Sequence, residues 1–198
     1  MPDSPTIVTA AVGVTLTPKD GWHRLPITTT WDGLASDVSA WIAFRLQADR
    51  LDVAGGACEA APVCPGSPAG ASTERLWEYS VVELFLVTAS GYLEVELGPD
   101  GRHLAYSFAA PRVRTGSWVA RSARQIPMPP GAGWGSAACF DRPSVLADAP
   151  IEKLNAFAHL PGRLAGHPAG ARLFAFHSLP GPRPDFHQPS RFPRWTAR

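Results

Sequence analysis

Two glutamates and a histidine occupy matched positions in three consecutive apolar segments of the stretch LWEYSVVELFLVTASGYLEVELGPDGRHLAYSFAAPR, residues 76–112. We expect Glu83 and Glu96 to lie opposite each other on neighbouring strands, with His103 next in the same row. Directly opposed side chains have Cβ atoms roughly 4.5–5.5 Å apart, so these groups should touch. Two neighbouring carboxylates repel each other, so one of them resists ionisation unless a cation or the hydroxyls of a ligand stabilise its charge. The row predicts either a ligand site or a solvated face neutralised by His103 and a nearby arginine.

Two turn sequences define this register. TASG (88–91) and GPDG (98–101) each end in glycine, which closes hairpins readily. Pairing of Thr88 with Gly91 places six apolar side chains on one face: Val82, Leu84, Leu86, Leu93, Val95 and Leu97. Pairing of Leu97 with Arg102 adds Leu104, Tyr106 and Phe108 to that face. Because Glu83 then stands on the other face between apolar neighbours, the ligand interpretation is favoured.

Short segments rich in Val, Ile, Phe, Trp and Thr recur along the chain, separated by Gly, Pro, Asp and Ser. We predict strands near 7–17, 24–31, 39–48, 79–88, 92–97, 103–109, 116–126, 134–140, 151–160 and 171–178. About ten antiparallel strands indicate an all-β sandwich, similar to a jelly roll. One domain is expected over residues 1–198, with a flexible surface insertion at about 50–75.

Composition excludes several classes of function. The chain has 198 residues and a net charge of +1, so no basic stripe for nucleic acid is present. No apolar run approaches the roughly 20 residues of a membrane helix. The N-terminus lacks the basic start and apolar run of a signal peptide. We therefore expect a soluble, cytoplasmic protein with no nucleic-acid or membrane partner.

The cysteines and the C-terminal histidines give little support for a metal site. Cys58 and Cys64 lie in a segment of small residues with no further zinc ligand nearby, which favours free thiols. His177, Asp185 and His187 suit a metal trio by residue type. The proline-rich sequence GPRPDFHQP favours instead a strapped tail, which Asp185 and His187 tie to the sandwich by hydrogen bonds. No metal or other cofactor is expected.

Three segments resemble the DOMON-like domains and the family-nine carbohydrate-binding modules. In LWEYSVVELFL a tryptophan precedes by six residues a glutamate within an apolar strand. GYLEVELGPDGRHLAYSFAAPR is similar to the family's strand, SPxG turn, aromatic strand and arginine. The C-terminal ARLFAFHSLPGPRPDFHQPSRF resembles the closing strand and tail of the bacterial DOMON-like branch.

The resemblance implies a β-sandwich whose concave sheet binds a ligand. In the carbohydrate-binding members, an aromatic pair clamps a sugar while acidic and basic side chains bind its hydroxyls. By this likeness Trp77 is the first aromatic, Glu83 the acid, Arg112 (or Arg102) the base, and Phe174 the second aromatic. Haem-binding members need axial His or Met, and the only methionines here are Met1 and the proline-flanked Met128, so haem is not expected.

The predicted function is non-catalytic binding of a mono- or oligosaccharide or a sugar derivative. The candidate ligand-binding residues are Trp77, Glu83, Glu96, His103, Arg112 and Phe174. A glycosidase is the first alternative, because cross-strand Glu83 and Glu96 approach the roughly 5–5.5 Å separation of a retaining pair. A structural or regulatory sandwich without a ligand is the second alternative. The oligomeric state and the identity of the sugar are left open.

Overall fold

The computed structural model describes residues 20–147, 149–164 and 172–196, and these residues form strands and short 3-10 turns without an α-helix. The predicted strand at 7–17 lies outside them. The thirteen described strands are β1 (His23–Thr30), β2 (Ala35–Leu46), β3 (Arg50–Ala57), β4 (Glu59–Ala61), β5 (Val81–Thr88), β6 (Gly91–Leu97), β7 (His103–Ala110), β8 (Val113–Ser117), β9 (Ser122–Ile126), β10 (Trp134–Asp141), β11 (Lys153–His159), β12 (Arg163–Leu164) and β13 (Leu173–Ala175). The 3-10 turns are Leu76–Glu78, Pro99–Gly101, Ser144–Leu146 and Pro189–Arg191.

Eleven of the strands form one antiparallel sheet in the order β8-β7-β6-β5-β11-β13-β1-β2-β3-β10-β9. The sheet curls on itself, so that β5 and β6 pack over β2, β3 and β10. This curling buries one continuous apolar core between the two halves. The predicted antiparallel β-sandwich is confirmed.

The hairpin β5–β6 has the predicted register. Thr88 pairs with Gly91, and the three leucine and valine pairs that follow all point into the core between the sheets. A two-residue turn fixes this register, because a shift by one residue would bring the glutamates of both strands into that core.

The hairpin β6–β7 differs from the prediction by one residue. Leu97 pairs with His103 rather than with Arg102. Asp100 adopts a left-handed conformation (φ 62°, ψ 23°), and Gly98 N–H donates to Arg102 O at 2.8 Å. The loop therefore has three residues, 99–101, and every side chain of β7 lies on the face opposite to the predicted one.

The predicted flexible insertion at 50–75 is wrong over its first third. Residues 50–57 form β3, a buried strand between β2 and β10. Its composition is loop-like because the two halves of the sandwich approach closely here: a Cβ on Gly55 would lie 2.7 Å from Val82 Cγ2. Farther along, the loop is held by Thr73 N–H donating to His103 O and by the Arg102 guanidinium donating to Ser67 O.

The C-terminal tail adds a further layer on the outer side of β5, β6, β7 and β11. Leu179, Phe186 and Phe192 of the tail pack on Phe85 and Phe157 of the sheet. The ring of Phe186 stacks on that of Phe157, with centroids 4.0 Å apart and planes 6° apart. The tail covers only part of this outer face, and a cavity opens beside it.

No helix in the described part of the chain is long and apolar enough to cross a membrane.

Candidate functional site

A cavity of about 600 Å³ lies on the outer face of β5, β6 and β7, beside the C-terminal tail. Glu83 and Glu94 line it together with Phe108, and Trp77, Arg112 and tail residues 184–187 complete its wall. Its volume is within the range of roughly 300–1,000 Å³ that is typical of small-molecule sites. It combines an exposed indole, aromatic rings, carboxylates and guanidinium groups.

The 3-10 turn Leu76–Glu78 presents Trp77 to this cavity. Leu76 is fully buried and anchors the turn, whereas 42% of the Trp77 surface is exposed. The Trp77 carbonyl lies 2.8 Å from His159 Nδ1, which ties the turn to the end of β11. Since an exposed indole is not needed for the core, its face is available to pack against a ligand.

Glu83 and Glu94 are buried at the base of the cavity. Only 4% of Glu83 and 6% of Glu94 is exposed. Burial, and then the nearby Glu94 carboxylate, raises the pKa of Glu83 well above its ordinary value. Burial also raises the pKa of Glu94, to about 7, although the positive charge of Arg112 opposes the shift. Both carboxyl groups thus retain protons well above the pH at which an exposed glutamate ionises.

Glu96 pairs with Glu83 across the two strands, as the sequence predicted. It is fully buried, and neither of its carboxyl oxygens has a hydrogen-bond partner among the described residues. Burial raises its pKa strongly, and the charges of Glu83, Glu94 and Glu74 add to the shift. Glu96 therefore lies behind the cavity rather than in its lining.

Arg112 connects the sheet to the tail. It occupies the link between β7 and β8 with a left-handed backbone (φ 61°), and its Nη2 donates to Asp185 Oδ1 at 2.8 Å. Burial alone would raise the pKa of Asp185, but the hydrogen bond from Arg112 outweighs it and leaves that pKa lowered. His187 Nδ1 lies 2.7 Å from the Tyr92 hydroxyl. Asp185 and His187 thus hold the tail by hydrogen bonds, as predicted for a strap.

Tyr106 forms another part of the lining and holds two charged groups beside the cavity. Its hydroxyl donates to the Glu74 carboxylate, and Arg114 lies over its ring at 4.5 Å. Burial and the Glu74 carboxylate raise the pKa of Tyr106 to about 12, so its hydroxyl remains a proton donor at neutral pH.

The structure brings three of the six predicted site residues into the cavity lining: Trp77, Glu83 and Arg112. His103 faces the core, where its ring contacts Phe140 and its Nε2 accepts from Ala120 N–H at 3.2 Å. The row of Glu83, Glu96 and His103 is wrong at its third member, because the longer β6–β7 loop reverses the faces of β7. Phe174 is buried in the core between the sheets.

Sequence reasoning missed Glu94, Tyr106 and Phe108 as lining residues. Glu94 could have been found from the sequence, because it precedes Glu96 by two residues and therefore lies on the same face of β6. Tyr106 and Phe108 were assigned to the core by the one-residue error in β7. Phe186 and His187 lay in the predicted strap, but no spacing indicated that the strap walls a cavity.

No cluster of histidine, cysteine, aspartate and glutamate within the described ranges has the arrangement needed to hold a metal ion. The three cysteines are all free thiols. Aromatic and charged side chains form most of the lining of the candidate site, together with Leu173 and Pro184.

The sequence matches no protein-family model and no curated protein. Among solved structures, the fold is similar to that of a putative carbohydrate-binding protein from Bacteroides uniformis, with a TM-score of 0.53 and 14% identity over 88% of this chain and 86% of that one. This likeness supports the β-sandwich fold. A family-nine carbohydrate-binding module from Caldicellulosiruptor kristjanssonii matches less closely: its complex with cellotriose has a TM-score of 0.42 and 11% identity, over 88% of this chain and 80% of that one.

Proposed function

We propose that the cavity beside the C-terminal tail binds a mono- or oligosaccharide or a sugar derivative without cleaving it. The observation that carries the proposal is an exposed indole next to buried carboxylates in one cavity of about 600 Å³. A pyranose has apolar C–H faces that pack on aromatic rings and hydroxyls that donate to carboxylates. Trp77 would supply the ring, and Glu83 and Glu94 the acceptors.

Arg112 would act from the opposite wall. Its guanidinium carries five N–H donors in a fixed fork and uses part of them on Asp185. The donors left over suit the ring oxygen or hydroxyl oxygens of a sugar. Because the ion pair also fixes the tail, one residue both shapes the wall and offers hydrogen bonds.

The similar Bacteroides uniformis protein, described as putatively carbohydrate-binding, makes this ligand class the first to test. Membership of the bacterial DOMON-like branch stays a prediction of the three sequence segments. The proposal changes the predicted binding set: Glu94, Tyr106 and Phe108 replace Glu96, His103 and Phe174.

A glycosidase fits the cavity less well. A retaining enzyme needs one ionised carboxylate and one protonated acid on either side of the scissile bond. Here burial raises the pKa of both Glu83 and Glu94, and both rise from the same sheet face. Glu96, the partner that the sequence suggested, is fully buried behind them. The two carboxyl groups therefore lie on one side of a bound sugar, and neither has a position across the scissile bond.

The test is a screen of soluble glycans followed by calorimetric titration of each hit. Trp77→Ala should lower the affinity roughly tenfold to a hundredfold through lost stacking and apolar burial. Trp22→Ala is the matched control, since Trp22 packs with Trp41 on the opposite half of the sandwich and lies beneath Arg45. It should leave the affinity unchanged.

Failure of every glycan to bind would refute the proposal. Equal affinity of the parent and Trp77→Ala for a glycan would show that the glycan binds elsewhere on the protein. Release of free sugar from a bound oligosaccharide, lost in Glu94→Gln, would establish the enzyme instead.

A further inference from the structure

No arginine or lysine of the described residues forms an ion pair with either carboxyl group at the base of the cavity. Glu83 makes no hydrogen bond within the described part of the chain, although 96% of it is buried and it lines the cavity. His187 Nε2 lies 3.9 Å from Glu94 Oε1, and the charge of Arg112 offsets only part of the effect of burial on the pKa of Glu94. Buried carboxylates are normally paired with a cation or with several donors. These two face an open space instead.

Three basic side chains of the cavity lining already have a partner in the protein. Arg112 pairs with Asp185, and Arg114 lies over the Tyr106 ring. His187 shares a hydrogen bond with the Tyr92 hydroxyl, and burial, followed by the charge of Arg112, lowers its pKa. It is therefore neutral at neutral pH and gives no full positive charge to Glu94.

Glu96 is a third carboxyl group behind Glu83 and Glu94. It lies directly across from Glu83, and both of its oxygens lack a partner among the described residues. Three buried carboxyl groups thus converge on one side of the cavity. A neutral hydroxyl that entered there would donate one hydrogen bond and would not favour the ionised form of these carboxyl groups. An ammonium group would donate three and would carry the opposite charge.

We propose that the sugar taken by this pocket is an amino sugar, with its protonated primary amine seated between Glu83 and Glu94 and its ring against Trp77. This inference rests on the proposed function, because the ring contact is what places the amine. A charge-assisted hydrogen bond is about twice as strong as a neutral one, and here it forms in a water-poor site. The ammonium group of the ligand thus supplies the positive charge that pairs with Glu83 and Glu94.

The closing experiment compares three disaccharides of the same backbone by calorimetric titration at about pH 7, where Glu94 is partly ionised and a sugar amine is partly protonated. The probes are the chitosan disaccharide with two free amines, cellobiose with hydroxyls in their place, and diacetylchitobiose with neutral amides. We expect the free-amine disaccharide to bind at least about tenfold more tightly than either of the others.

Glu94→Gln separates charge from shape. It keeps the size and the acceptor oxygen but removes the charge, so the affinity for the free-amine disaccharide should fall about tenfold while that for cellobiose changes little. Glu152→Gln is the control with the same change in net charge, because Glu152 is exposed and lies outside the cavity lining.

The possible results separate the two claims. Cellobiose bound as tightly as the free-amine disaccharide would overturn the amino-sugar inference and leave the proposed function standing. An amine preference that survives Glu94→Gln and Glu83→Gln would also overturn it. No binding of any of these sugars, or of any glycan in the wider screen, would refute the proposed function and this inference with it.

Discussion

The two faces of β5 and β6 bury side chains of opposite character, apolar on the inner face and ionisable on the outer face. The inner face consists of three apolar cross-strand pairs, all fully buried: Val82–Leu97, Leu84–Val95 and Leu86–Leu93. On the outer face the same strands carry Glu83, Glu94 and Glu96, buried almost as deeply. The inner face stabilises the fold through apolar burial, whereas the outer face buries groups that oppose folding when they ionise.

A strand that gives up stability on one face is typical of a functional surface. The outer face of β5 and β6 is partly covered by the tail, whose Phe192 packs against Phe85. Its carboxyl groups are thus buried at the edge of a cavity. Substitutions on the two faces should have opposite effects on stability, which gives a direct way to test this comparison.

The largest expected effect is on the inner face. Leu84→Ala removes a fully buried side chain and should lower the free energy of unfolding by about 2–5 kcal/mol. Leu34→Ala makes the same chemical change at an exposed position and should have almost no effect. Chemical denaturation measures both variants. Equal stability of Leu84→Ala and the parent would show that the inner face is not a packed core.

On the outer face, Glu94→Gln should stabilise the protein at alkaline pH. The folded-state pKa of Glu94 is about 7 against an ordinary value of 4.5. Between these values the folded state holds more protons than the unfolded state, so the free energy of unfolding falls as the pH rises. At about pH 8 the variant should be more stable by about 1–3 kcal/mol, with a shallower pH dependence.

Chemical denaturation of the parent and of Glu94→Gln, at pH values from below the ordinary pKa of Glu94 to above its folded-state pKa, measures this difference in stability. Exposed Glu152 supplies the control, since Glu152→Gln should follow the parent at every pH. If Glu94→Gln loses stability at alkaline pH, the carboxylate is held by favourable contacts and the contrast between the faces disappears.

Trp77→Ala should affect binding far more than stability. Because 42% of Trp77 is exposed, we expect the free energy of unfolding to change by less than about 1 kcal/mol. Trp41 is buried, and Trp41→Ala should cost about 3–5 kcal/mol. Thermal and chemical melts of the two variants distinguish a surface indole from a core one. Similar losses for both would make Trp77 a packing residue.

The smallest expected effect concerns the tail. Asp185→Asn weakens an ion pair in which the Arg112 side chain is 62% exposed, so the stability should fall by only about 0–1 kcal/mol. The wall of the cavity should loosen, and ligand affinity should fall several-fold. Asp141→Asn weakens a comparable surface pair with Arg121 away from the cavity and should leave the affinity intact. A loss of affinity in both variants would show that the effect is not local.

The predictions from sequence succeeded where turn chemistry and alternation agreed. The turn at 88–91 fixed the β5–β6 register, and hence the pairing of Glu83 with Glu96. The prediction failed at 98–101 because Asp100 takes a left-handed conformation that glycine would be expected to take, which lengthens the loop. Because of that one residue, His103 faces the core, whereas Tyr106 and Phe108 line the cavity.

Two other differences have steric and long-range causes. β3 was taken for a loop because close contact between the sheets requires glycine and alanine in a buried strand, as at Gly55. Arg112 and Asp185 form an ion pair in the cavity wall although they are 73 residues apart in the sequence. No local sequence pattern encodes such a contact. The strap itself was predicted, but its position over Phe157 follows only from the folded sheet.

The most direct test of the central claim is a crystal structure of the protein with the tightest-binding glycan. We expect the sugar ring to lie in the cavity with one face on Trp77, its polar groups donating to Glu83 and Glu94, and Arg112 at the opposite wall. A glycan bound in another cavity, lined by His23 and Trp195, would contradict the account. So would a glycan bound on any surface that leaves Glu83 and Glu94 without a ligand contact.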